Sequence, residues 1–579
     1  MDRKHKVSKK LYEYDEFRNL KEMLNNSKEK FGECPAFKFK TEIPGKLRIE
    51  TYKEFIDKVE ALGTALISIG LQGKRIAVIG ENRYEWALAY LSVVCGTGII
   101  VPLDKSLPKK ELLSLVERSE VEAIFYSEKY NAVMEEIKSN NIGKVNFFIS
   151  MDANKTVDGI FSQNELVELG TGLIKNGAKS FIESNIDNDE MSIILFTSGT
   201  TSYAKAVMLS HTNIVSNIHD VASIFDLGTK DTMLSFLPLH HTFECTVGFL
   251  YPFSVGASIA YCEGIRHIAD NIKEYQVSAM ISVPLLFESI YKQMMHKIDK
   301  QGKTKKVKFG IIISNTLRKI GIDKRKFVFK DIHEALGGKL RLCVTGAAAL
   351  DSEVEKGFND IGIEVYQGYG LTETSPVVAA EHRTCSKPGS IGQLLPSFEG
   401  KIDNPNDQGI GELAVKGPCV MLGYYGNKDA TDEVIKDGWF YTGDLAYFDK
   451  DDYIFITGRK KDVIVLKNGK NIYPEEVEAL IDNIEGIKES FVFGKPDQDD
   501  EINLKLAAKI VYDKEIMKKN FGLENEEEIK EKIWIDIKEV NQTMPTYKYI
   551  KEIYLTDQEL IRTTTTKIKR YEEIKTIQV

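Results

Sequence analysis

The sequence lacks three features that would each point to a particular class of protein: paired cysteines, a long uninterrupted apolar run and an excess of positive charge. The seven cysteines include no CxxC pair, which argues against a structural zinc site or a disulfide framework and suits reduced thiols. The longest apolar run, residues 88–103, contains two glycines and falls short of the roughly 20 residues that span a bilayer. The basic start of the chain is not followed by an apolar stretch, so we expect neither a secretory signal nor a membrane anchor.

Composition and charge indicate an ordinary folded protein of several structural units. The chain has 579 residues, of which 42% are hydrophobic and 28% charged, and domains usually contain about 100 to 200 residues. A net charge of −9 argues against a general nucleic-acid binder, because neutralising phosphates takes a surplus of lysine and arginine. We expect a cytoplasmic protein, with reversible peripheral contact with a membrane left open.

Strand-like and helix-like segments alternate along roughly the first 440 residues. A β-branched run at 75–80 and a helix-like stretch at 85–94 are followed by a second strand-like run at 98–103. This βαβ rhythm predicts an α/β fold in which parallel sheets are covered by helices. Further strands are expected at 123–126, 192–196, 258–261, 279–283 and 341–345.

The pattern changes after residue 410, where the strands become shorter and turns more frequent. Residues 411–416 and 452–457 predict a small antiparallel, barrel-like unit. Beyond it, Pro474 stands where a first helical turn would begin, and Glu475 and Glu476 follow it. Proline suits the first helical position and acidic residues suit the positive end of the helix dipole, so a helix in a further small α+β segment is expected to begin there.

Residues 194–211, ILFTSGTTSYAKAVMLSH, carry the strongest local signal for a ligand. An apolar strand runs into a hydroxyl-rich turn, and such a loop offers N–H and hydroxyl donors to a phosphate, with Lys205 as a mobile counter-charge. It is not a Walker loop, because Ala204 and Ala206 flank Lys205 and leave no hydroxyl for magnesium. A surface turn is the alternative interpretation of this segment alone.

This loop is the first of six motifs along the chain. The motifs are FTSGTT at 196–201, LPLHHTFE at 237–244, YQGYGLTETSP at 366–376, DGWFYTGDLA at 437–446, GRKKDVIVLKNGKNIYPEEVE at 458–478 and TTTTKIKR at 563–570. They occur in the order found in the acyl-adenylate-forming superfamily, which includes acyl-CoA synthetases, peptide-synthetase adenylation domains and luciferases. The chain therefore resembles that superfamily, most closely its long-chain fatty-acyl-CoA synthetases.

The resemblance implies ATP, Mg²⁺ and coenzyme A as co-substrates or cofactors, and it implies a role for each matching position. Thr372 would contact the α-phosphate, and Glu373 would hold magnesium through water. Asp444 would accept hydrogen bonds from the ribose hydroxyls, and Arg459 would steady ribose and phosphate. The implied nucleotide-binding residues are Thr197, Ser198, Gly199, Thr200, Thr201, Lys205, Gly346, Ala347, Ala348, Tyr369, Gly370, Asp444 and Arg459.

Three further positions carry roles that depend on the resemblance. Lys567 matches the C-terminal lysine that bridges the carboxylate and the α-phosphate, although Thr566 replaces the usual glycine before it. His241 matches the histidine beside the acyl site; a lone histidine in an apolar stretch is more often a satisfied core residue. Lys461 matches the hinge of a small mobile α+β C-terminal domain. The implied domains are 1–458 and 459–579.

The phosphate loop departs from the superfamily pattern at three positions. Ser202, Ala204 and Ala206 replace the commoner glycine, proline and glycine. Where the backbone φ angle would need to be positive, serine or alanine costs roughly 1 kcal/mol, so ATP binding could be weaker. Retention of the hydroxyl residues and of Lys205 favours an active enzyme.

Three functions are compatible with these motifs. The first is activation of a long-chain fatty acid to acyl-AMP followed by thioester formation with coenzyme A, and the second is transfer to a separate acyl-carrier protein. The third is a nucleotide-binding regulatory protein without turnover, an interpretation motivated by the altered loop. A lysine-rich segment between residues 285 and 340 is expected to be a solvated amphipathic excursion; contact with anionic lipid is a second hypothesis for it.

Overall fold

The computed structural model describes residues 5–41, 43, 45–197, 204–466, 471–497, 500–562 and 568–577. Two compact units are formed: the described parts of 1–197, 204–400 and 415–440 make the first, and those of 401–414 and 441–579 make the second. The domain boundary after residue 458 inferred from the resemblance remains a prediction.

The strands are short and most belong to the first unit. In chain order they are β1 Pro35–Lys40, β2 Leu47–Thr51, β3 Arg75–Ile79, β4 Ile99–Pro102, β5 Ala123–Tyr126, β6 Phe147–Ser150, β7 Ile160–Ser162, β8 Met191–Thr197, β9 Lys205–Ser210, β10 Thr232–Ser235, β11 Ser258–Tyr261, β12 Ala279–Ser282, β13 Leu342–Thr345, β14 Glu364–Gly370, β15 Val377–Ala380, β16 Gln393–Leu394, β17 Glu399–Asp403, β18 Gly411–Lys416, β19 Gly423–Tyr424, β20 Ile435–Lys436, β21 Trp439–Phe448, β22 Ile454–Arg459, β23 Ile464–Val465, β24 Asn471–Ile472, β25 Ile487–Asp497, β26 Asp500–Tyr512 and β27 Ile550–Thr556.

Helices separate most of these strands. The α-helices are α1 Leu20–Phe31, α2 Tyr52–Ser68, α3 Tyr84–Ser92, α4 Lys109–Ser119, α5 Asn131–Ser139, α6 Gln163–Lys175, α7 His211–Ile224, α8 Tyr251–Ser254, α9 Ile268–Glu274, α10 Pro284–Lys300, α11 Thr304–Lys319, α12 Arg325–Val328, α13 Lys330–Ala335, α14 Ser352–Ile361, α15 Lys428–Val434, α16 Pro474–Asp482, α17 Lys514–Ile516, α18 Glu526–Gln542 and α19 Arg570–Thr576. Short 3₁₀ or π segments include Phe243–Leu250, Thr372–Thr374 and Lys460–Asp462.

Two large sheets organise the first unit, and both contain the parallel strands that the sequence predicts. One runs in the order β19-β9-β8-β4-β3-β5-β6-β7, with β3 parallel to both β4 and β5. The other runs β16-β15-β14-β13-β12-β10-β11-β1-β2, with β12, β13 and β14 parallel. The predicted α/β class is therefore confirmed, as are the strands expected at β3, β4, β5, β8, β11, β12 and β13 within one or two residues.

Burial on both faces explains why these strands are so apolar. In the first sheet Ile79, Val101 and Ile124 are fully buried in one cluster, and in the second Met280 and Val365 lie in another. The sequences of parallel strands that are covered on both faces are continuous runs of apolar, often β-branched residues, without alternation of apolar and polar positions. Polar side chains are consequently few in these strands, and several lie at strand ends, such as Ser282 in β12 and Thr345 in β13.

The second unit contains a smaller antiparallel sheet and an α+β segment. β22 pairs antiparallel with β21, beside β18, as the turn-rich sequence after residue 410 predicts. In the α+β segment β25 pairs antiparallel with β26, which is parallel to β27. The helix expected at Pro474 is confirmed: α16 begins with that proline, and two glutamates occupy its first turn. Among the residues that the structure describes, no helix is both long and apolar enough to cross a membrane.

The buried guanidinium of Arg570, near the end of the second unit, forms an ion pair with α16, the first α-helix of that unit. Arg570 donates from both terminal nitrogens to Glu478, at 2.9 and 2.6 Å, and one of these nitrogens lies 3.4 Å from Glu475. Only 17% of the Arg570 side chain and 9% of that of Glu478 are exposed. Removing one partner of a buried pair leaves the other charge uncompensated, which typically costs more than the pair contributes.

We expect Arg570→Ala to lower the free energy of unfolding of the second unit by about 3 kcal/mol or more, because Glu478 and Glu475 lose their buried counter-charge. Faster amide hydrogen exchange across α16 and β25 would report this loss in the full chain. Lys569→Ala is the matched control, since that lysine forms an ion pair at 3.2 Å on the same helix turn but is partly exposed. Equal exchange in both variants would contradict the prediction.

Candidate active site

The predicted phosphate loop connects two antiparallel strands. β8 and β9 pair with Thr197 opposite Lys205 and Phe196 opposite Ala206, so the first and last loop residues lie side by side. Ser198, Gly199, Thr200 and Thr201 lie outside the described residues. The strand pairing therefore positions Lys205 beside Thr197, and the remaining loop assignments stay predictions.

The altered loop residues that the structure describes carry no backbone strain. Neither Ala204 nor Ala206 has a positive φ angle among the residues described, so the cost considered for a left-handed alanine does not arise at these two positions. The Ala204 carbonyl accepts a hydrogen bond from Arg118 at 2.7 Å, and Ala206 is buried within β9. Ser202 lies outside the described residues.

Lys205, Tyr424 and Glu373 form the central polar contact of this region. The Lys205 ammonium lies 4.6 Å from the centre of the Tyr424 ring, a cation–π distance. The Tyr424 hydroxyl donates to Glu373 Oε1 at 2.9 Å. Burial, and then the neighbouring Glu373 carboxylate, raise the pKa of Tyr424 far above its usual value, so the phenol stays protonated and acts as a donor.

Tyr424 is a candidate site residue that the sequence reasoning missed. It lies on β19, which pairs antiparallel with β9 and places Tyr424 opposite Val207. The adjacent Tyr425 anchors the strand by donating to Glu120 at 2.6 Å. The signal in the sequence is the pair of tyrosines between Gly423 and Gly426. The sequence does not show that this segment forms an edge strand paired with β9.

Glu373 and Thr372 lie in a 3₁₀ turn directly after β14. Tyr369 and Gly370 are the last two residues of that strand. A Cβ on Gly370 would lie 2.0 Å from the carbonyl oxygen of Pro376, so a side chain cannot be accommodated there without movement. The four predicted residues of this motif thus lie at the end of β14, where the backbone at Gly370 closely approaches the backbone at Pro376.

The predicted adenine-lining segment follows the neighbouring parallel strand β13. Gly346 is buried, whereas Ala347 and Ala348 are exposed, and a Cβ on Gly346 would lie 3.4 Å from the Gly368 carbonyl oxygen. Ala347 has a φ angle of +73°, a conformation that costs a non-glycine residue about 1 kcal/mol or more and often marks functional sites. Ligands of open α/β sheets bind outside the carboxyl ends of strands, which is where this segment lies.

The predicted acyl-site histidine is part of a cluster with His240 and Asp104. The rings of His240 and His241 are 4.2 Å apart between centres, and His240 Nε2 lies 3.3 Å from Asp104 Oδ1. One ligand atom from each of the three residues lies within 4.8 Å of the others, a donor set that could hold a divalent cation after small shifts. The sequence reasoning missed Asp104, which follows β4 in the other sheet.

Glu244, three residues beyond His241, is a buried carboxyl group. The Ser235 hydroxyl donates to its Oε1 at 2.6 Å. Burial raises the pKa of Glu244 to about 8, against the opposing effect of that hydrogen bond. The carboxyl group is therefore largely protonated at neutral pH. A small apolar cavity nearby is lined by Tyr90, Ile193, Ile214 and His240 among others.

In the second unit, Asp444 and Arg459 face each other across two strands. They are opposite in the register of β21 and β22, and Arg459 Nε lies 2.8 Å from Asp444 Oδ1. Asp444 is 4% exposed, so its charge requires a partner. Lys461 follows in a 3₁₀ turn, and burial lowers its pKa. The roles predicted for these three residues remain predictions, as does that of Lys567, which lies outside the described residues.

Comparison with known proteins decides the family. Residues 24–425 match the model of the AMP-binding enzyme family, and residues 461–576 match that of the AMP-binding enzyme C-terminal domain. The chain belongs to the AMP-binding enzyme family. It is an ATP-dependent, adenylate-forming ligase, and its likeness to long-chain acyl-CoA synthetases is confirmed by its relatives.

Curated relatives of this AMP-binding enzyme act on long-chain fatty acids according to their names. Long-chain-fatty-acid–CoA ligase 5 of Rattus norvegicus is 30% identical over 77% of this chain and 69% of its own length. The chloroplastic long-chain-fatty-acid–[acyl-carrier-protein] ligase AEE15 of Arabidopsis thaliana is 27% identical over 83% of this chain and 75% of its own. The two names share the acid and differ in the acceptor.

Solved structures share the fold. The anthranilate CoA ligase AuaEII in complex with anthranoyl-AMP aligns with a TM-score of 0.74 at 19% identity, covering 96% of this chain and 97% of its own. ATP-bound MatB from Rhodopseudomonas palustris aligns with a TM-score of 0.73 at 23% identity, covering 96% and 99%. At these identities the likeness supports the architecture, and acid specificity has to be argued from other observations.

We expect Tyr424→Phe to lower kcat/KM for acyl-adenylate formation by about tenfold, because Glu373 loses a hydrogen bond while Lys205 keeps the aromatic ring beside it. Steady-state pyrophosphate release at varied ATP measures the change. Tyr425→Phe is the matched control, since it removes a similar hydroxyl from the next residue, where the acceptor is Glu120. An equal loss in both variants would assign the effect to β19 and not to Glu373.

We expect Glu244→Gln to reduce the loss of stability on going from pH 5 to pH 8. Glutamate in the unfolded chain releases its proton near pH 4.5, whereas folded Glu244 keeps it to about pH 8. Between these values the folded state binds the extra proton, so rising pH lowers the free energy of unfolding by about 1 kcal/mol per unit. Urea unfolding at several pH values measures this, with exposed Glu111→Gln as control. Parallel pH profiles in wild type and Glu244→Gln would refute the prediction.

Proposed function

We propose that the protein activates a long-chain fatty acid as acyl-AMP and then transfers the acyl group to coenzyme A. The observation that supports the proposal is the contact of Lys205, Tyr424 and Glu373, which brings a cation and a hydrogen-bonded carboxylate to the same tyrosine. The names of the relatives support a long-chain fatty acid as the substrate and, in several cases, coenzyme A as the acceptor.

Phosphate binding falls to residues at the ends of β8 and β14. Lys205 would neutralise the outer phosphates of ATP, with Thr197 and the hydroxyl residues 198–201 donating hydrogen bonds. Thr372 would contact the α-phosphate, close to where the fatty-acid carboxylate attacks. Since acid and ATP are both anions, bringing them together depends on positioned donors and cations more than on proton transfer.

A magnesium ion would fit at Glu373. Its carboxylate is fixed by the Tyr424 hydroxyl through one oxygen, and Thr372 places a second oxygen in the same turn. Hard oxygen ligands of this kind suit Mg²⁺, which usually retains waters and binds phosphate oxygens. When bound, the ion neutralises charge that builds up on the departing pyrophosphate.

Nucleoside binding and the second half-reaction would use the remaining residues that the resemblance names. Gly346, Ala347, Ala348, Tyr369 and Gly370 would accommodate adenine, and Asp444 would accept hydrogen bonds from the ribose hydroxyls, with Arg459 beside it. Lys567 would bridge the acid and the α-phosphate. We assign His241 to the acyl site and Lys461 to the hinge about which residues 459–579 turn for thioester formation.

Transfer to a separate acyl-carrier protein is the second candidate. It is favoured by the relative named as an acyl-carrier-protein ligase, which covers more of this chain than the rat enzyme does. A nucleotide-binding protein without turnover is disfavoured, because Glu373, Asp444 and Lys567 are all retained. A cytoplasmic location with peripheral membrane contact completes the proposal.

We expect pyrophosphate release to be greatest with long-chain acids in a panel from acetate to oleate, and to increase when coenzyme A is added. Lys567→Ala should lower the rate by about 100-fold or more, since a cation in line with the reacting phosphate is lost. Lys569→Ala is the matched control, because it removes a nearby lysine of the same motif.

Other outcomes would change the assignment. If a carrier protein stimulates pyrophosphate release and coenzyme A does not, the acceptor is the carrier protein. ATP binding without release for any acid would support the regulatory function and overturn the ligase proposal.

A further inference from the structure

Helix α11 has one face packed on the first unit and one face open to solvent. Val307 and Ile311 pack against the core around β10 and β12, and Ser314 is buried on the same side. The residues of the buried face of α11 therefore follow the usual helical spacing of three and four residues. What distinguishes α11 is the composition of its other face.

The opposite side of α11 presents apolar side chains between lysines. Lys305, Phe309, Ile312, Thr316 and Lys319 recur at intervals of four and three residues and so lie along one stripe; we call this stripe the α11 outer face. Phe309 is 64% exposed and Ile312 62%. Large apolar residues in the middle of a solvent-facing stripe are unusual, because such positions normally carry polar side chains.

The charged side chains of helix α11 are all of one sign. The helix sequence TKKVKFGIIISNTLRK contains five basic residues and no acidic one. Among the residues that the structure describes, Lys305, Lys306, Lys308 and Lys319 form no ion pair. Four ammonium groups at this helix therefore have no fixed counter-charge in the described part of the chain.

The segment that follows α11 extends the apolar character. Ile320 is 70% exposed and Phe327, on α12, is 81% exposed. Arg325, next to Phe327, is instead paired with Asp323 at 2.6 Å and buried. Exposed apolar side chains thus continue along the chain beyond α11, and Asp323, an acidic residue between Ile320 and Phe327, is already paired.

We propose that the α11 outer face docks on the surface of an anionic phospholipid bilayer. Phe309 and Ile312 enter the boundary between headgroups and acyl chains, and the flanking lysines contact lipid phosphates while their alkyl stems cover apolar surface. A second copy of this helix is disfavoured as the partner because like charges would meet. Nucleic acid would use the lysines but not the aliphatic side chains.

This docking deepens the proposed function, since a fatty acid partitions into bilayers and would be collected there. Vesicle binding itself requires no ligase turnover. The binding experiment therefore succeeds or fails independently of the substrate assignment, and an inactive Lys567→Ala protein should bind vesicles as the wild type does.

Co-sedimentation of the full chain with vesicles of phosphatidylcholine containing about one quarter phosphatidylserine tests the proposal. Lys305→Gln with Lys319→Gln should lower the partition coefficient about 25-fold, from roughly fivefold per lysine near an anionic surface. Phe309→Ser with Ile312→Ser should lower it at least tenfold. Binding should weaken with rising salt and on pure phosphatidylcholine.

Matched controls separate this face from general charge and apolarity. Lys110→Gln with Lys155→Gln removes two exposed lysines elsewhere, and Ile265→Ser changes an isoleucine that is 73% exposed; both should bind as the wild type does. Equal loss in the controls, or no vesicle binding by the wild type, would overturn the proposal. Self-association without lipid that Phe309→Ser abolishes would assign the face to a second copy instead.

Discussion

Burial of the parallel strands on both faces is the constraint on which the first unit depends. Because β3, β4, β5, β12, β13 and β14 have helices or core on either side, they contain few polar side chains, and the polar residues of the candidate site lie where strands end. β8 and β4 are parallel, so Thr197 and Asp104 emerge at one edge of their sheet. β13 and β14 are parallel in the other, which places Gly346 near Tyr369. The sheets thus collect residues that are far apart in the sequence.

The carboxyl groups described above each have a partner suited to their surroundings. Glu373 is half-buried and receives one hydroxyl, whereas Asp444 and Glu478 are buried and each lies against a guanidinium. Arginine suits the buried positions because its planar donors match a carboxylate. Burial raises the pKa of Glu244 to about 8 despite the opposing effects of Ser235 and Lys105, so this carboxyl group keeps its proton at neutral pH. Burial and the nature of the partner, more than the residue type, determine the charge state.

The sequence predicts the elements and motif positions well, and it predicts contacts between distant segments poorly. The strands at β3, β5 and β13 and the start of α16 follow from local runs and from Pro474. Tyr424 was missed because its role comes from pairing with β9, more than 200 residues earlier, and Asp104 because it meets His240 across two sheets. The strain considered at Ala204 and Ala206 was absent, because neither residue has a positive φ angle; Ala206 pairs with Phe196 in the ladder of β8 and β9. The exposure of Phe309 and Ile312 on α11 could likewise not be predicted, because the sequence does not show which face of the helix packs on the core.

The hairpin geometry of β8 and β9 limits how the phosphate loop can diverge. Successive residues of a strand point to opposite faces, so inserting one residue within β9 would either break the pairing of Thr197 with Lys205 or turn Lys205 to the other side of the sheet. Replacement of individual loop residues leaves that register intact. The composition of the loop can therefore change, as at Ser202, while the ladder fixes the positions of the two residues where the loop begins and ends.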